Sequence, residues 1–179
     1  MAIQLDTTSE QNILNMLMDQ SVISTEQMAK IKSMSKEIGK SRLETAFELN
    51  LTDEKKIIEI LSKSYSLDIV DLKKYKISDK LKKIVPLDYV RSNTLVPFEI
   101  ANGILKIAIP DASKLSLMKN LKTMTKMDPE LYAATISDIS NFITRMSGGE
   151  DKQSSGQKIE QIKNINKFLS LGLNVVNSP

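Results

Sequence analysis

The tripeptide Gly39-Lys40-Ser41 has the residue types that end a Walker A loop, in which backbone N–H groups and a lysine hold phosphates. In the full pattern the first glycine would fall on Met34, which lies inside a segment with helical spacing, and no strand precedes it. A helix that ends at Gly39 and is followed by an exposed lysine explains the same residues. We therefore predict a helix C-cap here, and no ATP-binding loop in this chain.

Histidine and cysteine are both missing from the 179 residues. Their absence excludes His-dependent triads, thiolate nucleophiles and His or Cys metal sites, and no pair of carboxylates stands out as an acid–base couple. The sequence therefore predicts no catalytic residues, no metal ligands and no cofactor. The chain begins without the features of a signal peptide, and no apolar run approaches the roughly 20 residues of a membrane span. We expect a protein of the cytoplasmic, reducing type.

A cluster of lysines provides a second candidate for function, because it places six positive charges within eleven residues. Such a surface meets anionic lipid headgroups or an acidic protein, although a solvated helix face is the favoured explanation of the same residues. Nucleic acid is not an expected partner, because Tyr75 is the only aromatic side chain in the cluster and the net charge is only +3. The candidate interaction surface consists of Lys73, Lys74, Lys76, Lys80, Lys82 and Lys83.

The dipeptide Asn102-Gly103 separates two apolar runs and predicts a two-residue β-hairpin turn, because both positions of that turn need φ > 0. One face of the hairpin is apolar and predicts a core beneath covering helices. Pro97 cannot donate a ladder hydrogen bond, so its strand is expected at a sheet edge. The predicted pairs are Ala101 with Ile104, Ile100 with Leu105, Phe98 with Ile107 and Val96 with Ile109.

Helical spacing of apolar residues predicts the helices around this hairpin. A faint repeat relates residues 17–32 to 47–62, and Ser24 with Gln27 has the pattern of a capping box. We predict an α+β fold, with paired helical hairpins followed by a small α/β layer of β-hairpin, helix, strand and helix. The predicted divisions are a disordered start at 1–8, a helical subdomain at 9–66, a small α/β subdomain at 67–146, a flexible Gly/Ser linker at 147–156, and a tail helix or the start of a following domain at 157–179.

Four motifs follow one another in fixed order and spacing from residue 70 onward. They are Val70-Asp71-Leu72 with Tyr75, Ile84-Val85-Pro86, Leu95-Val96-Pro97, and Leu105-x-Ile107-Ala108-Ile109-Pro110-Asp111. In this arrangement the chain resembles the N-terminal domain of the type II secretion and type IV pilus assembly ATPases. The resemblance covers residues 10–146, because the upstream repeat is similar to the paired helical hairpins of that family.

The resemblance implies an adaptor and not a motor. In that family this region ties the hexameric ATPase to the cytoplasmic side of the inner-membrane platform. The implied partners are the cytoplasmic domain of a platform protein and the ATPase domain of the same full-length protein. The implied location is cytoplasmic and peripheral to the inner membrane, with at most peripheral contact with lipid.

Some members of the family also bind cyclic di-GMP, through two stretches that begin Arg-Leu-Gly-x-x-Leu and close with Gln. In the second stretch of this chain Arg42 and Leu43 are kept, which makes them candidate ligand residues, whereas Glu44 replaces the glycine and Ser64 the glutamine. Glutamate adds bulk and negative charge where backbone must approach phosphate. The first stretch departs further, with Asn12, Ile13 and Leu14 at the opening positions, and Lys36 at the closing one. A cyclic di-GMP sensor is therefore the alternative function, and a structural role for Arg42 is favoured.

Overall fold

The structure is a computed structural model that describes residues 5–148. Its first half consists of two helical hairpins. They contain α1 (Thr7–Asp19), α2 (Thr25–Ile38), α3 (Arg42–Glu48) and α4 (Glu54–Tyr65). The capping box predicted at Ser24 and Gln27 is present in both directions. Buried apolar side chains of all four helices meet in one cluster, so the two hairpins pack together as the repeat predicts.

The start of α1 corrects one prediction. Asp6 caps this helix by accepting a hydrogen bond from the Ser9 N–H at 2.8 Å, and the helix begins at Thr7. Residues 5–8 are therefore ordered, although residues 1–8 were expected to be disordered; residues 1–4 are outside the described range. The physical reason is local, because an aspartate three residues ahead of a free N–H is a strong N-cap.

The second half of the described chain is a four-stranded mixed sheet with helices. Its strands are β1 (Asp68–Ile69), β2 (Val96–Ala101), β3 (Ile104–Ile109) and β4 (Asp128–Ala133), and its α-helices are α5 (Asp79–Ile84), α6 (Leu87–Asn93), α7 (Met118–Thr125) and α8 (Ile136–Met146). Two short 3₁₀ helices, Leu72–Lys74 and Ala112–Leu117, connect these elements. The predicted order of hairpin, helix, strand and helix after residue 95 is confirmed, and so is the α+β class.

The strand order is β1-β4-β3-β2, with β1, β4 and β3 parallel and β2 antiparallel to β3. The turn at Asn102 and Gly103 has φ of 50° and 80°, and Pro97 lies in an edge strand, as predicted. The outer part of the register differs from the prediction. The pairs near the turn hold, but the register then shifts, so that Pro97 faces Ile107 and Val96 faces Ala108. Phe98 is the extra residue of a β-bulge, next to a proline that cannot donate to the ladder.

The core of the α/β half lies between the sheet and its helices. The apolar hairpin face contributes Phe98, Leu105 and Ile107, and α8 contributes Phe142 and Ile143. A smaller cluster of Ile58, Leu61 and Ala133 joins α4 to β4, so the two halves touch through apolar side chains. The boundary between residues 66 and 67 stays a prediction. The linker prediction at 147–156 falls mainly, and the tail prediction at 157–179 entirely, outside the described residues.

Candidate functional site

A groove lies between α4, β1 and the start of α8, with a volume of about 320 Å³. Its floor is apolar and its rim is charged or polar. Ile69 is the most exposed large apolar side chain of the described residues, at 52 %. The groove is lined by Lys55, Ile58, Glu59, Ile69, Val70, Asp71, Thr135 and Asp138.

The backbone beside the groove belongs to the free edge of β1. The register pairs Ile69 with Ala133, and the Val70 N–H donates to the Ala133 carbonyl at 3.0 Å. Because alternate residues of a strand direct their N–H and C=O groups to opposite sides, those of Ile69 point away from β4. No described strand pairs on that side of β1. The groove therefore offers an apolar floor together with backbone groups that another chain could pair with.

Local hydrogen bonds fix the polar rim. The Thr135 hydroxyl caps α8 by accepting from the Asp138 N–H at 3.1 Å, and an Asp71 oxygen accepts from the Lys73 N–H at 3.1 Å. Both carboxylates also face lysines, with Lys73 Nζ 3.5 Å from Asp138 and Lys74 Nζ 3.7 Å from Asp71. The rim is thus preorganised, and two members of the lysine cluster border the groove.

Glu54, which is next to the groove residue Lys55, and Asp6 each connect the two halves of the molecule. A Glu54 oxygen accepts from the Ser137 N–H at 3.2 Å and from its hydroxyl at 2.9 Å, at the N-terminus of α8. Burial raises the pKa of the Glu54 carboxyl above its ordinary value, although these hydrogen bonds oppose the change. Asp6 pairs with the buried Lys114 at 2.9 Å. Partial burial opposes ionisation of Asp6, but hydrogen bonds from Lys114 and the Ser9 N–H hold its pKa below the ordinary value.

The residues that resemble a Walker A end form helix caps. Gly39 ends α2 with φ of 68°, Lys40 pairs with Glu48, and Ser41 caps α3. The predicted C-cap glycine with an exposed lysine is confirmed. Ser41 and Glu44 form a second capping box, in which each side chain accepts from the other residue's N–H.

Arg42 and Leu43, the cyclic di-GMP candidates, are used inside the helical half. The Arg42 guanidinium donates to the Gln11 side chain at 3.0 Å, and the Leu43 N–H donates to the Glu10 carboxylate at 2.9 Å. The Leu43 side chain is buried. At the start of α3, the Leu43 N–H is therefore already satisfied by the Glu10 carboxylate of α1.

The six lysines of the candidate surface are all exposed. Lys73 and Lys74 lie in the 3₁₀ helix at residues 72–74, Lys76 follows it, and Lys80, Lys82 and Lys83 lie in α5. The groove, in contrast, was missed by the sequence analysis. Its only sequence signal is the short apolar pair Ile69-Val70 between two aspartates, which does not reveal that β1 is an edge strand.

Within residues 5–148 there is no group of three or more acidic side chains that could hold a metal ion, and no helix is long and apolar enough to cross a membrane.

Comparison with known proteins gives relatives among pilus assembly motors. The type IV pilus assembly ATPase PilB of Myxococcus xanthus is 27 % identical over 131 residues, which are 73 % of this chain and 23 % of that protein. PilB of Thermus thermophilus is 20 % identical over 123 residues, which are 68 % of this chain and 14 % of that protein. The chain thus spans less than a quarter of the length of these curated relatives.

Solved structures share the fold. MshE, solved with cdg (cyclic di-GMP), superposes with a TM-score of 0.55 at 18 % identity and covers 75 % of this chain and 97 % of that one. The N-terminal domain of XpsE gives a TM-score of 0.55 at 18 % identity and covers 79 % of this chain and 98 % of that one. The resemblance to N-terminal domains of secretion and pilus ATPases is confirmed. Residues 51–153 match the MshEN domain, and the chain belongs to this family.

Proposed function

We propose that this chain is a non-catalytic adaptor, the N-terminal domain of a type II secretion or type IV pilus assembly ATPase. It docks the motor to the cytoplasmic domain of an inner-membrane platform protein, and it is joined to the ATPase domain of its own full-length protein. Its location is the cytoplasmic side of the inner membrane. The observation that carries the proposal is the apolar groove beside the free edge of β1, in a domain whose relatives are pilus assembly ATPases.

The groove has the chemistry of a protein-binding site. Ile58, Ile69 and Val70 offer an apolar floor, which is the part of an interface that supplies most of the binding free energy. The outward N–H and C=O groups of Ile69 allow a partner segment to add to the sheet edge. Glu59 and the paired aspartates at the rim accept hydrogen bonds from such a segment. The Gly39-Lys40-Ser41 turn, in contrast, consists of helix caps.

Two isoleucines allow a matched test. Ile69 is 52 % exposed in the groove, and Ile38 is 41 % exposed at the end of α2. We expect Ile69→Lys to weaken binding to the purified cytoplasmic domain of the cognate platform protein at least about ten-fold, as for an interface anchor. Ile38→Lys should leave the affinity unchanged, and both variants should keep their melting temperatures because both side chains are exposed. Binding by Ile69→Lys equal to that of the wild type would refute docking at the groove.

A cyclic di-GMP sensor is the second candidate, because a structure of the same fold, MshE, was solved with cdg. Four positions count against it here: Leu14 is fully buried, Glu44 closes a capping box, and Lys36 and Ser64 are exposed where the motif closes with Gln. We expect titration calorimetry with cyclic di-GMP to give no heat up to tens of micromolar ligand, a range that corresponds to about −6 kcal/mol. Saturable binding that Arg42→Ala abolishes would establish the sensor instead.

A further inference from the structure

The lysine surface, defined as Lys73, Lys74, Lys76, Lys80, Lys82 and Lys83, carries more charge than its neighbours neutralise. Lys73 and Lys74 each face one carboxylate, Asp138 and Asp71. The other four form no ion pair within 4.0 Å among residues 5–148. Asp79, in the first turn of α5, is the remaining acidic residue of the stretch. Four exposed cations are therefore left for an external partner.

Buried residues beneath the surface hold these lysines in place. Leu81 and Val85 of the α5 segment are buried, and the Ser78 hydroxyl caps the helix by accepting from the Leu81 N–H at 3.2 Å. Ahead of α5, the Tyr75 ring packs edge-on against Phe98 with centroids 4.8 Å apart. The backbone is thus anchored from below, while the lysine side chains extend into solvent.

The residue types in this surface indicate what it meets. Interface cores of proteins are rich in arginine and aromatic side chains and poor in lysine, because lysine is a strongly hydrated point charge. Residues 71–86 contain no arginine. The exposed large apolar side chains of the described chain all lie elsewhere; they are Ile38, Tyr65, Ile69, Leu115 and Met124. A layer of mobile anionic headgroups needs charge but no fitted apolar anchor, and polybasic segments bind it.

We propose that the lysine surface binds the anionic phospholipid headgroups of a membrane surface. The contact is electrostatic and peripheral, and it involves no insertion of apolar side chains. The inference stands on the charge and composition of this surface and does not require the proposed function. The two fit together in space, because Lys73 and Lys74 pair with two rim residues of the groove. A membrane bound at the lysine surface would therefore lie close to the groove.

Vesicle co-sedimentation with the full chain tests the proposal. We expect binding to vesicles of phosphatidylglycerol and phosphatidylcholine, no binding to phosphatidylcholine alone, and release at about 1 M salt, where the Debye length is about 3 Å. Each lysine near an anionic surface increases the partitioning of the protein onto vesicles about five-fold. Removing four lysines should therefore reduce this partitioning several hundred-fold, about 5⁴. The test variant combines Lys76→Gln, Lys80→Gln, Lys82→Gln and Lys83→Gln.

A second variant, the control, removes the same number of positive charges from other helices. It combines four exposed lysines of α2 and α4, as Lys30→Gln, Lys32→Gln, Lys36→Gln and Lys63→Gln. Its partitioning should fall far less than that of the test variant, and unchanged circular dichroism in both confirms folding. Equal losses in the two variants would overturn the proposal, and so would failure of the wild type to bind anionic vesicles at low salt. Binding to soluble polyglutamate without vesicle binding would instead assign an acidic protein to this surface. Binding to the platform domain is measured without lipid, so either proposal can fail alone.

Discussion

Replacing Phe98 with alanine tests how the sheet is joined to its covering helices. Phe98 is the bulged residue of the edge strand β2, and 1 % of its surface is exposed. Its ring meets Tyr75 at 4.8 Å and Tyr132 at 5.2 Å between centroids, both edge-on. Tyr132 comes from β4 and Tyr75 from the segment ahead of α5. The side chain therefore ties three separate parts of the α/β half together.

The expected loss follows from this environment. A buried Phe→Ala change costs about 3–5 kcal/mol, the larger values belonging to sites that cannot collapse. Each edge-to-face pair adds about 0.5–1.5 kcal/mol beyond its buried area. Since the two tyrosines are held by other elements and cannot both move into the space, we expect a loss near the upper end, about 4–5 kcal/mol.

Urea denaturation followed by circular dichroism measures this loss. With a slope of about 2 kcal/mol per molar urea, the midpoint of Phe98→Ala should fall by about 2 M. Glu99→Ala on the same strand is the control, because Glu99 forms only a surface ion pair with Lys106 at 2.7 Å, and exposed pairs contribute little. Small and equal shifts of the two midpoints would show that the bulge does not bury Phe98 as described.

Three further predictions concern charged groups. Asp6→Asn keeps an N-cap acceptor for α1 but removes the charge facing the buried Lys114, so we expect a loss of about 1–3 kcal/mol in the free energy of unfolding from urea melts. Asp53→Asn, at an exposed N-cap that forms no ion pair among residues 5–148, should stay near wild type, and equal losses would contradict the role of the Asp6–Lys114 pair. Glu54→Gln keeps the hydrogen-bond acceptor for the start of α8 and removes an ionisation that burial disfavours. A raised pKa means that the folded chain holds the proton more tightly than the unfolded chain does. The stability of the wild type relative to this variant should therefore fall as pH rises from 4.5 through the raised pKa. A wild type that gains on the variant in melting temperatures over that range would refute the assignment. The purified chain should release no phosphate from ATP, and release that is lost in Lys40→Ala would show that the Gly39 turn is a phosphate loop.

Local signals explain what could be predicted. The turn at Asn102 and Gly103 and the capping box at Ser24 each depend on two or three adjacent residues, so their geometry follows from the sequence alone. The second capping box, at Ser41 and Glu44, has the same signature and was available to the same reasoning. Glu44, which replaces the glycine of the cyclic di-GMP motif, therefore has a structural role as part of a cap.

The remaining features depend on distant parts of the chain. The register shift at Phe98 arises because Pro97 lacks an N–H, and its exact position is set by packing against Tyr132 of another strand. The groove requires that β1, a strand of two residues without periodicity, pairs in parallel with β4. Such pairing leaves no mark in a single sequence, and so neither the edge position of Ile69 nor the rim formed by α8 could be predicted.

The position of β4 sets the order in which the molecule can be completed during synthesis. β2 and β3 are neighbours in the chain and can pair as soon as both have left the ribosome, whereas Asp68 of β1 must wait for Tyr132. Among residues 5–148 the last strand made is an interior strand, since β4 lies between β3 and β1. A nascent chain that stops before Asp128 therefore has every α4 residue of the groove and the β2–β3 hairpin, but it lacks the strand with which β1 pairs. The groove, which also needs Thr135 and Asp138, is consequently completed late in the synthesis of residues 5–148.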